Sequence, residues 1–186
     1  GELDVEEIGA LCRLADTLAA AGYVRGEVPA RCLATLAACA CGHLDIAERQ
    51  ATLAARAARR SSLLSLRLAA HHAVAAYRLT IGDRTPAKRE LRLALEELTM
   101  ASRLGGAGDA DAGLATHARE IERLLVQVAA TERQPMRALT WMERAVDAVL
   151  PPRPALPPAD ERVAAEFAEL RAVAAELRHA EQADEP

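Results

Sequence analysis

Three stretches of the chain, "CGHLDIAERQATLAARA", "IGDRTPAKRELRLALEE" and "ERQPMRALTWMERAVDA", share one pattern. Each holds an alanine and a second alanine seven residues on: Ala47 and Ala54, Ala87 and Ala94, Ala138 and Ala145. Seven residues are about two helical turns, so both alanines of a pair lie on one helix face. Four residues after the first alanine, on the same stripe, stands Ala51, Leu91 or Met142. Small residues along that stripe let a partner helix approach closely. Five residues before the first alanine the first two units carry Gly42 and Gly82, suited to a helix C-cap that needs positive φ. The third unit departs, with Arg133 there.

The rest of the chain reads as helix. Apolar residues make up 51% of it and aromatics 2%, so the apolar share is mostly Ala and Leu. Both lose little side-chain entropy in a helix. Sheets favour β-branched and aromatic residues instead. Leu11, Leu14, Ala15 and Leu18 mark the first helix by their spacing, which stops at "GYVRGEVP". Pro29 fits the first turn of a second helix that runs to Gly42. Asp45, with Glu48 three residues on, reads as the cap of a third helix from about Ile46 to Arg60. Ser61 or Ser62 opens a fourth, ending near Gly82; Pro86 and the pair Gly105 and Gly106 bracket a fifth. After the acidic loop "AGDADAG", the segments "LATHAREIERLLVQVAATERQ" and "PMRALTWMERAVDAVL" form a further pair. The expected organisation is a repeat array over 1–150, a stiff Pro-rich spacer "PPRPALPP" over 151–158, and an amphipathic helix over 159–182. That last helix places Val163, Phe167, Leu170, Val173, Ala174 and Leu177 on one side.

The glycine before the turn, the paired alanines and the larger apolar residue between them resemble the tetratricopeptide repeat. The spacing departs from that family. The first alanines lie 40 and then 51 residues apart, against a repeat of about 34. The large first-helix residues of the family are also mostly missing. The pattern therefore resembles a degenerate, tetratricopeptide-like repeat. The resemblance implies an all-α, right-handed solenoid of about three helix pairs with flanking helices. A second resemblance covers Arg137 to Leu177. "RALTWMERAVDAVLPPRPALPPADERVAAEFAELRAVAAEL" looks like the segment that precedes the CHAT domain in actinobacterial repeat proteins. CHAT domains are caspase-like cysteine peptidase folds. The catalytic His and Cys of such a domain would lie beyond this segment, so no residue here inherits their role.

The residue types that carry chemistry elsewhere have structural readings here. Cys39 and Cys41, two apart, point about 200° apart on a helix and cannot grip one ion together. Cys12 and Cys32 supply no second zinc pair, so the four cysteines read as small apolar residues. His71 and His72 point about 100° apart, one expected to pack and one to line a groove. Arg56, Arg59 and Arg60 read as a solvated helix C-terminus. Trp141 beside Met142 reads as packing. Glycine-rich phosphate loop, GxSxG and HExxH motifs are absent from the chain. No catalytic residue, metal ligand or cofactor is therefore assigned.

By analogy with tetratricopeptide arrays, the first helix of each pair lines a concave face. The repeat register puts Cys32 and Leu36 there in the first unit, and His72, Ala76 and Thr80 in the second. The third contributes Glu120, Arg123, Gln127 and Thr131. The expected ligand is a protein or peptide partner held in that groove. A net charge of −4 and a pI near 5.8 disfavour nucleic acid. No uncharged apolar run reaches the ~18 residues of a membrane span. The acidic start "GELDVEEIGA" is unlike a signal peptide, and cysteines without such a signal point to the cytoplasm. The expectation is a non-catalytic sensor or recruitment region of a larger effector. Two alternatives stand beside it: the repeat region of a bacterial transcriptional regulator, and a small helical enzyme using His71 or His72 with a cysteine.

Overall fold

The computed structural model describes residues 5–103 and 112–131, with scattered helical positions between 136 and 176. Its continuous part runs through α1 (Val5–Ala20), α2 (Val24–Ala40), α3 (Leu44–Ala58), α4 (Leu64–Thr80), α5 (Arg84–Arg103) and α6 (Ala112–Thr131). Among the described residues there is no strand.

Three of the turns are built alike. Gly22, Gly42 and Gly82 have φ of 71°, 77° and 80°, the left-handed region that side chains resist. After each glycine, the next residue's N–H reaches back five positions to a helix carbonyl: Tyr23 to Leu18 at 2.9 Å, His43 to Ala38 at 2.8 Å, Asp83 to Arg78 at 2.8 Å. The glycine N–H bonds three positions back, to Ala19, Cys39 and Leu79. This is the Schellman closure, which satisfies carbonyls that a helix end leaves free.

The chain re-enters helix straight after these turns, so the expected starts of α2 and α3 move; that of α4, which follows no such turn, moves as well. The residue preceding α3 is His43, not Asp45, and it makes no side-chain cap; Asp45 sits inside the first turn. Its carboxylate can still favour the positive end of the helix dipole from there. Leu63 precedes α4, where Ser61 or Ser62 was expected. The Ser61 hydroxyl instead accepts the Leu63 N–H at 3.1 Å, ordering the approach to the helix. α2 starts at Val24, so Pro29 lies inside it rather than in its first turn. Gly26, read as a break, is helical. A Cβ there would stand 2.6 Å from the Tyr23 ring and 3.1 Å from the Leu18 methyl, so the bare backbone makes room for both.

A 40-residue period governs the middle of the chain. α2 and α4 each span 17 residues and begin at 24 and 64; α3 and α5 begin at 44 and 84. The buried positions keep the same offset. Val28 and Leu68, Ala47 and Ala87, Ala54 and Ala94 are all fully buried, as is Leu91, with Ala51 nearly so. The alanine stripes read from the sequence are thus the faces that pack. The matching Ala138, Met142 and Ala145 lie outside the described residues, as do Trp141 and the spacer at 151–158.

Each helix packs on its successor from α1 to α6, and in addition α2 packs on α4 and α4 on α6. The core follows this order as successive clusters. Ile8 of α1, Ala37 and Ala38 of α2, Ala47 and Ala51 of α3 and Tyr77 of α4 form one. Val28 and Cys32 of α2, Ala54, Ala57 and Ala58 of α3, and Leu66, Ala69, Ala70 and Ala73 of α4 form the next. Leu68 and Ala75 of α4, four residues of α5 and five of α6, among them Ile121 and Leu125, form the last. In α1 the packing face is Ile8 and Ala15; Leu14, expected on it, is 50% exposed.

Candidate functional site

The row α2–α4–α6 carries the residues proposed for partner contact. Leu36 and Ala76 are half-buried, and Thr80, Arg123, Gln127 and Thr131 are exposed. The Thr80 hydroxyl donates to the Ala76 carbonyl at 2.9 Å, and that of Thr131 to Val128 at 2.7 Å. Both hydroxyls are thus turned back on their own helices. Arg123 Nε donates to Glu120 at 2.9 Å across one turn of α6. Cys32 and His72 are buried rather than presented, because α4 covers the first and α6 approaches the second. Leu33 was not anticipated here. It is exposed on α2, one turn before Leu36, and widens the apolar part of this row. An apolar residue outside the packing stripe was its only signal in the sequence.

Polar side chains join the two helices of each unit, and the joint repeats. In the first unit Arg31 of α2 donates to Gln50 of α3 at 3.0 Å. In the second, His71 of α4 meets Glu90 of α5 at 2.8 Å. Both members are displaced by the same 40 residues. Arg31 and Glu27, each 4% exposed, form an ion pair at 2.9 Å within α2. Arg31 also reaches Asp16 of α1 at 3.1 Å, and Arg60 reaches Glu27 at 3.1 Å. A charge buried this deeply is tolerated only with such partners. In the second unit Arg67 bonds Glu97 at 3.1 Å, and the other His71 nitrogen is 3.9 Å from that same residue. The hydrogen bond from His71 is the main cause that holds the Glu90 carboxyl below its ordinary range. His71 is therefore occupied as a bridge between α4 and α5. The spacing of Glu27 and Arg31 was a legible helical pair; the recurrence of 31–50 as 71–90 needed the helix register to be seen.

His72 has a different environment. It is 6% exposed, and among the described residues its Nε2 has no hydrogen-bond partner. Glu120 Oε2 lies 3.9 Å away, beyond hydrogen-bond reach. Burial is the main cause that lowers its pKa to about 4; Glu120 opposes the shift, while His117 and Arg123 add to it. The imidazole is neutral at neutral pH.

The cysteines are free thiols. Burial pushes Cys32 up to about 12, and burial is likewise the leading cause that raises Cys12 and Cys39. A thiol that resists ionisation is a poor nucleophile and a poor metal ligand. Cys39 and Cys41 pack at the edge of the first core cluster. Among the described residues, no three His, Cys, Asp or Glu side chains are grouped so as to hold a metal ion. Nor, among those residues, is any helix long and apolar enough to cross a membrane. No family model, curated protein or solved structure matches the chain.

Proposed function

We propose that this chain is a tetratricopeptide-like, non-catalytic scaffold that binds a protein or peptide partner along the row α2–α4–α6. The observation that carries the reading is the doubled packing order. α2 meets both α3 and α4, and α4 meets both α5 and α6, while the pair α2–α3 recurs 40 residues on as α4–α5. That is how stacked helix pairs share their apolar faces. A row of first helices leaves one long surface free for an extended or helical ligand. On this chain the surface runs from apolar Leu33 and Leu36 to polar Glu120, Arg123, Gln127 and Thr131. The thiols with raised pKa and the engaged His71 count against an enzyme built on them.

The likeness of 137–177 to the segment preceding CHAT domains extends the proposal. The scaffold would act in the cytoplasm of an actinobacterium and control a caspase-like effector domain. A caspase-like domain encoded downstream of Pro186 is the expected arrangement; a DNA-binding domain there would favour the regulator reading.

The binding reading is tested with paired baits in lysate of the native host. Leu33→Glu and Gln127→Lys change exposed side chains, so Tm should move little. A partner held by the wild type and lost with either variant is expected. A partner indifferent to both would place the binding surface elsewhere. Turnover abolished by cysteine alkylation would defeat the scaffold reading.

A further inference from the structure

His72 stands where the fold does not require a polar residue. Its counterpart 40 residues earlier is Cys32, equally buried at 6% exposure and packed among apolar side chains. The first unit thus fills this position with a small apolar group. In the second, an imidazole nitrogen is buried without a hydrogen-bond partner among the described residues, which is costly in itself.

The surroundings favour a neutral ring. Burial is the leading cause; of the α6 charges acting on it, His117 and Arg123 oppose a proton and Glu120 favours one. The nearer oxygen of Glu120 already takes the Arg123 Nε at 2.9 Å, so the anion is engaged by another cation. On α5, Glu90 and Glu97 face His71. The α2 and α3 residues packed in one cluster with Ala69 and Ala73 of α4 are Val28, Cys32, Ala54, Ala57 and Ala58, and the Cys32 thiol is un-ionised. Among the described residues, the one anion near the ring is thus Glu120, which lies 3.9 Å away, beyond hydrogen-bond reach, and is already paired with Arg123.

We infer that His72 is an acid-operated latch between α4 and α6: a proton on its ring, buried and without a hydrogen-bonded anion, favours a form in which α6 lifts away from α4. The first unit, with Cys32 at the equivalent position, has no such latch and stays packed. What α6 carries away on opening is the polar end of the exposed row, Glu120, Arg123, Gln127 and Thr131. Proton uptake would therefore divide the surface while leaving α1, α2 and α3 together.

The size follows from linkage. A ring that titrates near 4 when closed and near 6.5 when open makes the open form roughly 10- to 100-fold more populated at pH 4.5 than at pH 7. Amide hydrogen exchange on the full chain, corrected for the intrinsic pH dependence, reads this. Protection in α6 is expected to fall by about tenfold or more relative to α2 between those pH values. His72→Cys copies the residue of the first unit, and in it the ratio of α6 to α2 protection should change by less than about twofold over the same range. An α6 that keeps its relative protection in the wild type, or loses it equally in the variant, overturns the proposal. The wild-type imidazole titration, followed by NMR, gives a check that needs no variant. A His72 midpoint at the ordinary value near 6.5 also overturns it.

Discussion

At the scale of single residues, backbone conformation and buried charge are separable. Gly42 sits at φ 77° with nothing within 4 Å of where a Cβ would be. Gly42→Ala therefore meets no clash and loses only the left-handed preference, about 1–2 kcal/mol. Thermal unfolding should show the loss, and Gly42→Asn should recover part of it, since Asn tolerates this region. A loss well above that range would mean contacts the turn does not show. The Arg31 network behaves differently. Arg31→Met strands Glu27 in the interior with only Arg60 left to it. Removing one member of a buried pair costs roughly 3–5 kcal/mol, and the exposed Arg60 places this case toward the lower end. The double change Glu27→Leu with Arg31→Met should be milder than Arg31→Met alone, because no unpaired charge remains. Denaturant melts of the two single variants and the double one decide this; simple additivity would contradict the pairing.

At the scale of elements, the alanine stripes set how closely helices lie. Ala94 is fully buried on α5, in one cluster with Leu68 and Ala75 of α4 and Ile121 and Leu125 of α6. Ala94→Leu forces extra volume into that junction and should cost about 1–3 kcal/mol. A Tm equal to wild type would count against the observed register. The repeated polar joints, 31 with 50 and 71 with 90, work at this scale too. Each ties the two helices of one unit at the same height. Much of this was legible beforehand. The spacing of Ala47 and Ala54, and of Ala87 and Ala94, identified the packing faces, because a helix period leaves few other ways to bury them. The starts of α2, α3 and α4 were misplaced. Asp45 and Pro29 are favourable near helix starts in general, but here the Schellman turns return the chain to helix within two residues of Gly22 and Gly42; before α4 there is no such turn, and Ser61 orders the approach from outside the helix.

For the molecule as a whole, the stability depends on pH through groups that folding shifts. The folded pKa of His72 lies below its unfolded value. As pH falls from about 6.5 to 4, the unfolded chain takes up the proton first, and stability drops by up to ~3 kcal/mol. Below both values this contribution is constant. The Glu90 carboxyl, held below 4.5, adds stability that is present above that value and lost as pH falls through its lower folded value. Denaturant midpoints measured from pH 7 to 4 should fall, with a shallower slope for His72→Cys. A slope identical in both proteins would remove His72 as the source. The successive core clusters also make partial opening reasonable, since among the described residues α6 shares its cluster with α4 and α5 and not with α1, α2 or α3.

The sequence alone settled the helical class, the two strong repeat units and their packing stripes. These depend on local propensity and period, which act between residues close in the chain. The tertiary structure decided what lies far apart in sequence: that Arg31 is satisfied by Asp16, Glu27 and Gln50 together, and that Leu14 and Leu33 remain exposed. It also decided that His72, expected to line a groove, is sealed beneath α6 with one nitrogen unpaired. Burial is set by which helix covers which face, and no spacing within a single helix encodes its neighbour.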